Sequence, residues 1–406
     1  MLYKNVQKIT IPSGNGAEIT IETGKLAKQA DGAVVLRQGN TMLLATVVSN
    51  KEFREGADFL PLSVDYQEKY AAAGRFPGGF LKREARISNY EILISRMVDR
   101  AMRPLFPSDY FAEIQLLVSL ISADEDVMPD SLVALAASAA VSISDIPFAG
   151  PISEVRVAII NGEYIINPGI NQLKDATLDI IVAGSSENVN MVEGEMREVS
   201  EEELTKAIKV AHEVIKEQCA AQKELVKLCG REKREYDKQE EDEKIKQDIE
   251  SKFKDKILEV AQSFSPKSER SDAFKNMLDE YIESLTEEEQ EKAPLMKRYF
   301  GELKKEVIRN FVLNDKVRLD KRKYDEIREI NCEVDYLPSA HGSALFTRGE
   351  TQSLTSITLG NKLAEQMIDG VMFKRFDRFM LHYNFPPFST GEVKPQRGPA
   401  RREIGH

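Results

Sequence analysis

Three arginines, Arg96, Arg100 and Arg103, recur at i, i+4 and i+7, directly after Lys82, Arg83 and Arg86. On a helix that spacing lines up three guanidinium groups on one face. The planar guanidinium fork holds two oxygens at once, so six cations gathered in one loop and one helix suit a phosphate-bearing polymer. For any one of them, pairing with Asp99 or a surface carboxylate is the equal alternative. Phe76 and Phe80 are interleaved with these cations. Aromatic rings beside a basic track stack on unpaired bases for ~1–3 kcal/mol each, or else they pin the loop to the core. A second basic cluster, Arg401-Arg402-Glu403 with His406, repeats the Lys82-Arg83-Glu84 pattern and adds a histidine able to donate to phosphate, although a lone histidine is more often structural.

Other chemistries find no support in the residues. The 406 residues hold no phosphate-binding glycine loop, dinucleotide fingerprint, nucleophile elbow or Ser-His-Asp arrangement. Cys219, Cys229 and Cys332 lack CxxC spacing and read as buried or incidental thiols, and His212, His341 and His382 lack metal-ligand spacing. The net charge of −11 argues against a generally basic coat protein, but local basic clusters decide where a polyanion sits. The amino terminus runs straight into alternating residues, and no apolar run approaches the ~20 residues that span a bilayer, so a soluble cytoplasmic protein is expected.

The elements that must position these residues follow from periodicity. Residues 5–66 read as an antiparallel set of strands, including Ala33 to Leu36, Met42 to Val48 and Leu62 to Val64. Tyr70 to Gly79 reads as a mobile loop around Phe76. Ser88 and Glu91 form a capping box for a helix with Tyr90, Leu93, Ile94, Met97, Val98 and Ala101 on its apolar stripe, ended by Pro104. A buried strand over Ile114 to Ile121, an alanine-rich helix over Asp130 to Ile143, a hairpin around Asn161-Gly162, a strand over Leu178 to Val182 and a long helix opened by Ser200 follow. From about Gly230 to Asp320 the composition turns to Lys, Glu and Asp with apolar residues at helical spacing, which predicts an all-helical insert whose charge runs are solvated faces. Strands return over Asn331 to Tyr336, Ser343 to Phe346, Leu354 to Leu359 and Phe379 to Tyr383.

The chain is also duplicated. Leu36-Arg37-Gln38-Gly39-Asn40-Thr41 matches Phe346-Thr347-Arg348-Gly349-Glu350-Thr351, each followed by a β-rich run. The expected architecture is α/β (α+β): a first domain over 1–229, an all-helical domain over 230–322 and the opening of a second copy over 323–406.

The segments FPGGFLKREAR, RMVDRAMRPLFP, LDIIVAG, MVEGEMREVSEEEL, LPSAHGSALFTRGETQ and GPARREIGH, in this order, resemble the bacterial polynucleotide phosphorylase family over essentially the whole chain. The resemblance implies two RNase PH-type domains flanking a helical domain, a homotrimeric ring with a central channel, and KH and OB-type domains beyond. It implies 3′-to-5′ phosphorolysis of RNA to nucleoside diphosphates in mRNA degradation, reversible as polymerisation, with inorganic phosphate as co-substrate and Mg2+ or Mn2+. An endonuclease and a helicase are possible partners, and no membrane is implied. By position, Phe80, Lys82, Arg83 and Arg86 fall on the channel loop that grips single-stranded RNA, where Leu81 and Lys82 replace a second Phe and a second Arg. Arg401, Arg402 and His406 match residues that approach the RNA 3′ end and the phosphate. The family's catalytic carboxylates lie past His406, so no metal site is implied within the chain and the chain alone is expected to be inactive. Asp179 keeps one such position in the first copy, but Ile181 stands where a lysine belongs, which makes the first copy a non-catalytic, RNA-guiding domain. The competing class is a non-catalytic RNA-binding ring subunit.

Overall fold

A computed structural model describes residues 5–53, 59–78, 82–84, 87–236, 241–395 and 398–406. They fall into two compact units, one within Met1–Lys238 together with Lys362–His406, the other within Gln239–Asn361.

In the first unit β1 (Gln7–Pro12), β2 (Glu18–Thr23), β3 (Gly32–Gln38) and β4 (Thr41–Phe53) run antiparallel, and β5 (Leu62–Glu68) leads through a 3-10 turn at Tyr70–Ala73 to α1 (Asn89–Met102) and β6 (Ala112–Ser122). The sheet order is β1-β2-β3-β4-β6-β5. β6 is antiparallel to β4 but β5 is parallel to β6, which corrects the expectation of a wholly antiparallel opening. The connection through α1 is the crossover that a parallel pair requires. β6 also differs from the buried strand expected: it alternates, with Glu113 and Gln115 exposed.

α2 (Val133–Ile143) is buried on every side, which its small residues permit, and packs under β3 and β4. β7 (Ser153–Ile160) and β8 (Glu163–Ile166) form the expected hairpin, with Asn161 and Gly162 both at positive φ (52° and 82°) as a two-residue turn demands. β9 (Ala176–Gly184) and β10 (Val189–Met196) complete a second sheet in the order β10-β9-β7-β8. α3 (Glu201–Cys229), started by a Ser200/Glu203 capping box, lays Ala207, Ala211, Ile215 and Cys219 against it at four-residue intervals. The chain then stays with this unit past Gly230. The Lys233 ammonium donates to the carbonyls of Val141, Ser142 and Ser144 at the end of α2, and Tyr236 packs edge-on against Tyr110.

The second unit contains α4 (Glu243–Gln262), α5 (Lys267–Glu283), the short α6 (Glu287–Gln290) and α7 (Ala293–Asp315). Ile249, Phe253 and Ile257 of α4 meet Phe274 and Leu278 of α5 and Tyr299, Phe300 and Leu303 of α7 in one core. Next come β11 (Ile330–Val334), β12 (Gly342–Arg348) and β13 (Thr351–Ile357), an antiparallel sheet. Its turn repeats that of β3 and β4: Gln38 faces Thr41 around Gly39 (φ 58°), and Arg348 faces Thr351 around Gly349 (φ 59°).

From Lys362 the chain is again part of the first unit, with the hairpin β14 (Gln366–Asp369) and β15 (Lys374–Asp377), a 3-10 turn at Pro387–Thr390 and α8 (Arg401–Gly405). Phe379 to Tyr383, expected as a strand, has no strand pairing, and Phe379 is 81% exposed.

Candidate nucleic-acid interface

The loop after β5 begins with the Tyr70–Ala73 turn, closed by Gly74 at φ 65°. Phe76 is 71% exposed, so its ring does not pin the loop to the core. The Lys82 ammonium lies over that ring, 5.3 Å from its centroid, and also donates to the Gly78 carbonyl at 3.3 Å. Arg83 is exposed. An exposed aromatic ring thus has one cation, Lys82, against it, and a second, Arg83, follows in the chain; these side-chain types suit single-stranded nucleic acid. Phe80 and Arg86 lie outside the described residues.

Arg96 and Arg100 lie on α1 and Arg103 caps its end, and the three are not kept together. Arg103 turns back on Asp99 (Nη2 to Oδ1 2.6 Å) and donates to the carbonyls of Leu60 and Leu62 at 3.0 and 3.1 Å, so it fastens the end of α1 to the entry of β5. Arg96 and Arg100 edge a cleft of about 390 Å³ between α1 and β9–β10. Arg100 pairs with Glu193 at 2.5 Å, but both are about half exposed, which makes the pair energetically slight. Leu93 is 44% exposed and lines this cleft, which corrects its place on the apolar stripe; Ile92, Ile94, Val98 and Ala101 carry the burial instead.

The cleft floor is a buried ion chain. Arg156 donates to Asp130 Oδ2 at 2.6 Å and to both oxygens of Asp179 at 2.7 and 2.6 Å, and the Tyr90 hydroxyl donates to Asp130 Oδ2 at 3.0 Å. Burial raises the Asp179 carboxyl above its ordinary range, with Arg156 opposing. A divalent cation would have to displace a guanidinium from Asp179, and among the described residues no three His, Cys, Asp or Glu side chains converge as a metal site. Asp130 and Asp179, both held by Arg156, therefore do not fit a magnesium ion.

α8 holds the other predicted cluster. Arg401 donates to the Val64 carbonyl at 2.9 Å and pairs with Asp65, which docks α8 on β5. The Arg402 guanidinium lies 4.4 Å from the Phe385 ring centroid, and the His406 ring stacks on Tyr383 at 4.4 Å. Gly405 faces Arg96 so closely that a Cβ there would come within 2.4 Å of Arg96 Nε, so α8 and α1 meet at one rim of the cleft.

These contacts change the equivalence between the copies. Glu403 accepts the backbone N–H groups of Ala400 (2.6 Å) and Phe385 (2.8 Å), and Glu91 accepts those of Ser88 (2.6 Å) and Glu68 (2.7 Å). The 3-10 turns ahead of them also correspond: Gly74 and Gly391 end them at φ 65° and 69°. The structural counterpart of Glu403 is thus Glu91, not Glu84, and Arg401, Arg402 and His406 correspond to Asn89, Tyr90 and Ile94. The pairing of Lys82-Arg83-Glu84 with Arg401-Arg402-Glu403 is corrected. Glu91-Ile92 against Glu403-Ile404 was the available signal, outweighed by the flanking cations.

The cysteines form no disulfide. Cys219 is buried on α3 and its thiol is pushed up to about 12 by burial, an inert environment.

Comparison with known proteins matches residues 16–147 and 326–406 to the model described as 3′ exoribonuclease family, domain 1, and residues 150–214 to domain 2 of that family. Residues 244–323 match the RNA-binding domain of polyribonucleotide nucleotidyltransferase. Similar proteins include the polyribonucleotide nucleotidyltransferases of Cytophaga hutchinsonii, 57% identical over 98% of this chain and 56% of that protein, and of Bacteroides fragilis, 58% identical over the same shares. The chain spans about half the length of these relatives. A rice Rrp46 structure aligns at a TM-score of 0.41 and 13% identity over 54% of this chain and 94% of its own.

Proposed function

Because the chain belongs to the 3′ exoribonuclease family, with RNase PH-type domains on either side of a helical region, we propose that the whole protein is a phosphorolytic 3′-to-5′ exoribonuclease. Inorganic phosphate attacks the terminal phosphodiester of single-stranded RNA and releases a nucleoside 5′-diphosphate, and the reaction reverses as template-independent polymerisation. The attacking group is the co-substrate, so no protein nucleophile is needed. The proposed organisation is a first domain over 1–229, to which the segment through Tyr236 adds itself, a helical domain within 230–322 whose helices begin at Glu243, and a second copy from 323, in a cytoplasmic homotrimer. No described helix is long and apolar enough to cross a membrane.

The observation that carries the reading is the unequal filling of one repeated turn. Where the second copy has Arg401, Arg402 and His406, the first has Asn89, Tyr90 and Ile94. This supports placing phosphate and the RNA 3′ end against the second copy, where cations offset developing charge, and an RNA-guiding role for the first, through Lys82, Arg83, Arg96 and Arg100. Arg103 is assigned a structural part in that domain. Magnesium or manganese is assigned to carboxylates other than Asp130 and Asp179, which Arg156 occupies.

The reverse reaction tests the reading. The whole protein given ADP and magnesium, with no template, is expected to make polyadenylate and release phosphate. RNA binding without polymer or phosphate would favour the non-catalytic ring subunit instead.

A further inference from the structure

The basic loop of the first copy is tied down by the second copy. Arg75 follows the left-handed Gly74, and its Nη2 pairs with Asp369 Oδ1 at 2.7 Å. Its Nη1 donates to the carbonyls of Gly370 and Val371 at 3.0 and 3.4 Å, and the Tyr70 hydroxyl donates to the Asp369 carbonyl. The loop returns past the same side chain: a Cβ at Gly78 would lie 2.5 Å from Asp369 Oδ2. The tip of the β14–β15 hairpin is itself anchored. Val371 is buried in the core of the first unit, and the Phe373 ring meets Tyr90 of α1 edge-on at 5.7 Å.

The repeated turn shows that the fold does not require this tie. In the second copy the residue after the left-handed Gly391 is Glu392, which pairs with Lys394. Phe76 lies next to Arg75, on the segment that Tyr70, Arg75 and Gly78 hold against Asp369, and Lys82 reaches back to that segment through the Gly78 carbonyl and the Phe76 ring. A guanidinium that engages a carboxylate and two carbonyls together fixes direction as well as distance.

We propose that Arg75 and Asp369 form a latch between the copies, and that Arg75 is a positioning residue that holds the loop ready for single-stranded RNA. The inference rests on the reading of that loop as an RNA grip. Unlatching lowers the fraction of chains whose loop is in place, and the apparent Kd rises in proportion.

Asp369→Ala is the decisive variant, because removing an anion should by charge alone tighten RNA binding, whereas the latch predicts weakening. In the whole protein, Asp369→Ala and Arg75→Gln are each expected to speed tryptic cleavage after Lys82 and Arg83, read by mass spectrometry, and to raise the Kd for an oligoadenylate by about threefold to tenfold. Arg75→Lys, which keeps the charge but loses the fork, falls between. Asp369→Asn, which retains an acceptor at the same size, guards against loss of folding in the alanine variant. Unchanged cleavage in Asp369→Ala and Arg75→Gln overturns the latch. Faster cleavage with unchanged Kd overturns the positioning role; Arg83→Ala then shows whether the RNA reading falls too, since a weakened Arg83→Ala leaves that reading intact and an unaffected one removes it.

Discussion

Glu91 and Glu403 occupy the same place in two copies of one turn, each bridging the backbone N–H at the start of its helix and a second N–H upstream, that of Glu68 or Phe385. Each carboxylate joins a helix terminus to the segment before the loop, so the loop between them has two fixed ends.

Removing that bridge should be costly in the first copy, where Glu91 is buried. Glu91→Ala strands the buried Glu68 N–H and leaves that of the exposed Ser88 to water, and a destabilisation of about 1–3 kcal/mol is expected from the usual penalty for an unsatisfied buried group. Glu91→Gln, which keeps one acceptor, should lose less. Urea unfolding of the two variants checks the order, and equal stabilities would contradict it.

Two buried acids set a pH dependence. Burial, reinforced by the neighbouring Glu91, raises Glu68 from 4.5 to about 7 against the opposing Tyr66 hydroxyl bond. Burial likewise raises Glu154 to about 8, against the bond it accepts from the Ala134 N–H. Between the unfolded value of 4.5 and these folded values, the native state holds protons that the unfolded chain has released. Stability should therefore be highest near the acid end of that window, fall as pH rises through about 7 and 8, and level off above. Glu154→Gln should flatten the fall, so that the difference between variant and wild type shifts in the variant's favour as pH rises to about 8. A denaturation series from pH 5 to pH 9 that showed the same slope in wild type and Glu154→Gln would refute this.

The ion chain under the cleft is structural on this account. Arg156→Met leaves the buried Asp130 and the half-buried Asp179 without their cation and should destabilise by about 3 kcal/mol. Asp179→Asn should also lower the melting temperature, yet leave the magnesium dependence of phosphorolysis in the whole protein unchanged. A raised magnesium requirement in Asp179→Asn would make Asp179 a metal ligand after all.

Lys82 and Arg83 are predicted to act on RNA through charge. Replacing both by Ala should weaken oligonucleotide binding and reduce the slope of log K against log salt by about 1–2, because fewer counterions are released. An unchanged slope would remove the loop from the RNA surface.

Much of the fold was legible because its signals are local. The Asn161-Gly162 turn, the Ser88/Glu91 and Ser200/Glu203 capping boxes and the four-residue stripe of α3 each depend on residues a few positions apart. What escaped depends on distant partners. β5 is parallel only because β6 lies beside it, and Arg103 leaves its expected face because the carbonyls of Leu60 and Leu62 are within reach. β10, with Asn190, Glu193, Gly194 and Glu195 among its residues, carries little strand propensity and is held by its pairing with β9. At the candidate site, residue types pointed to a polyanion, but the flanking cations masked the match of Glu91-Ile92 with Glu403-Ile404, and the hydrogen bonds to Glu68 and Phe385 decide the equivalence.

Identification of the nucleotide released from RNA tests the central claim most directly. The whole protein incubated with polyadenylate and magnesium is predicted to release ADP, and only when inorganic phosphate is present. AMP released with or without phosphate would mean hydrolysis and contradict the account.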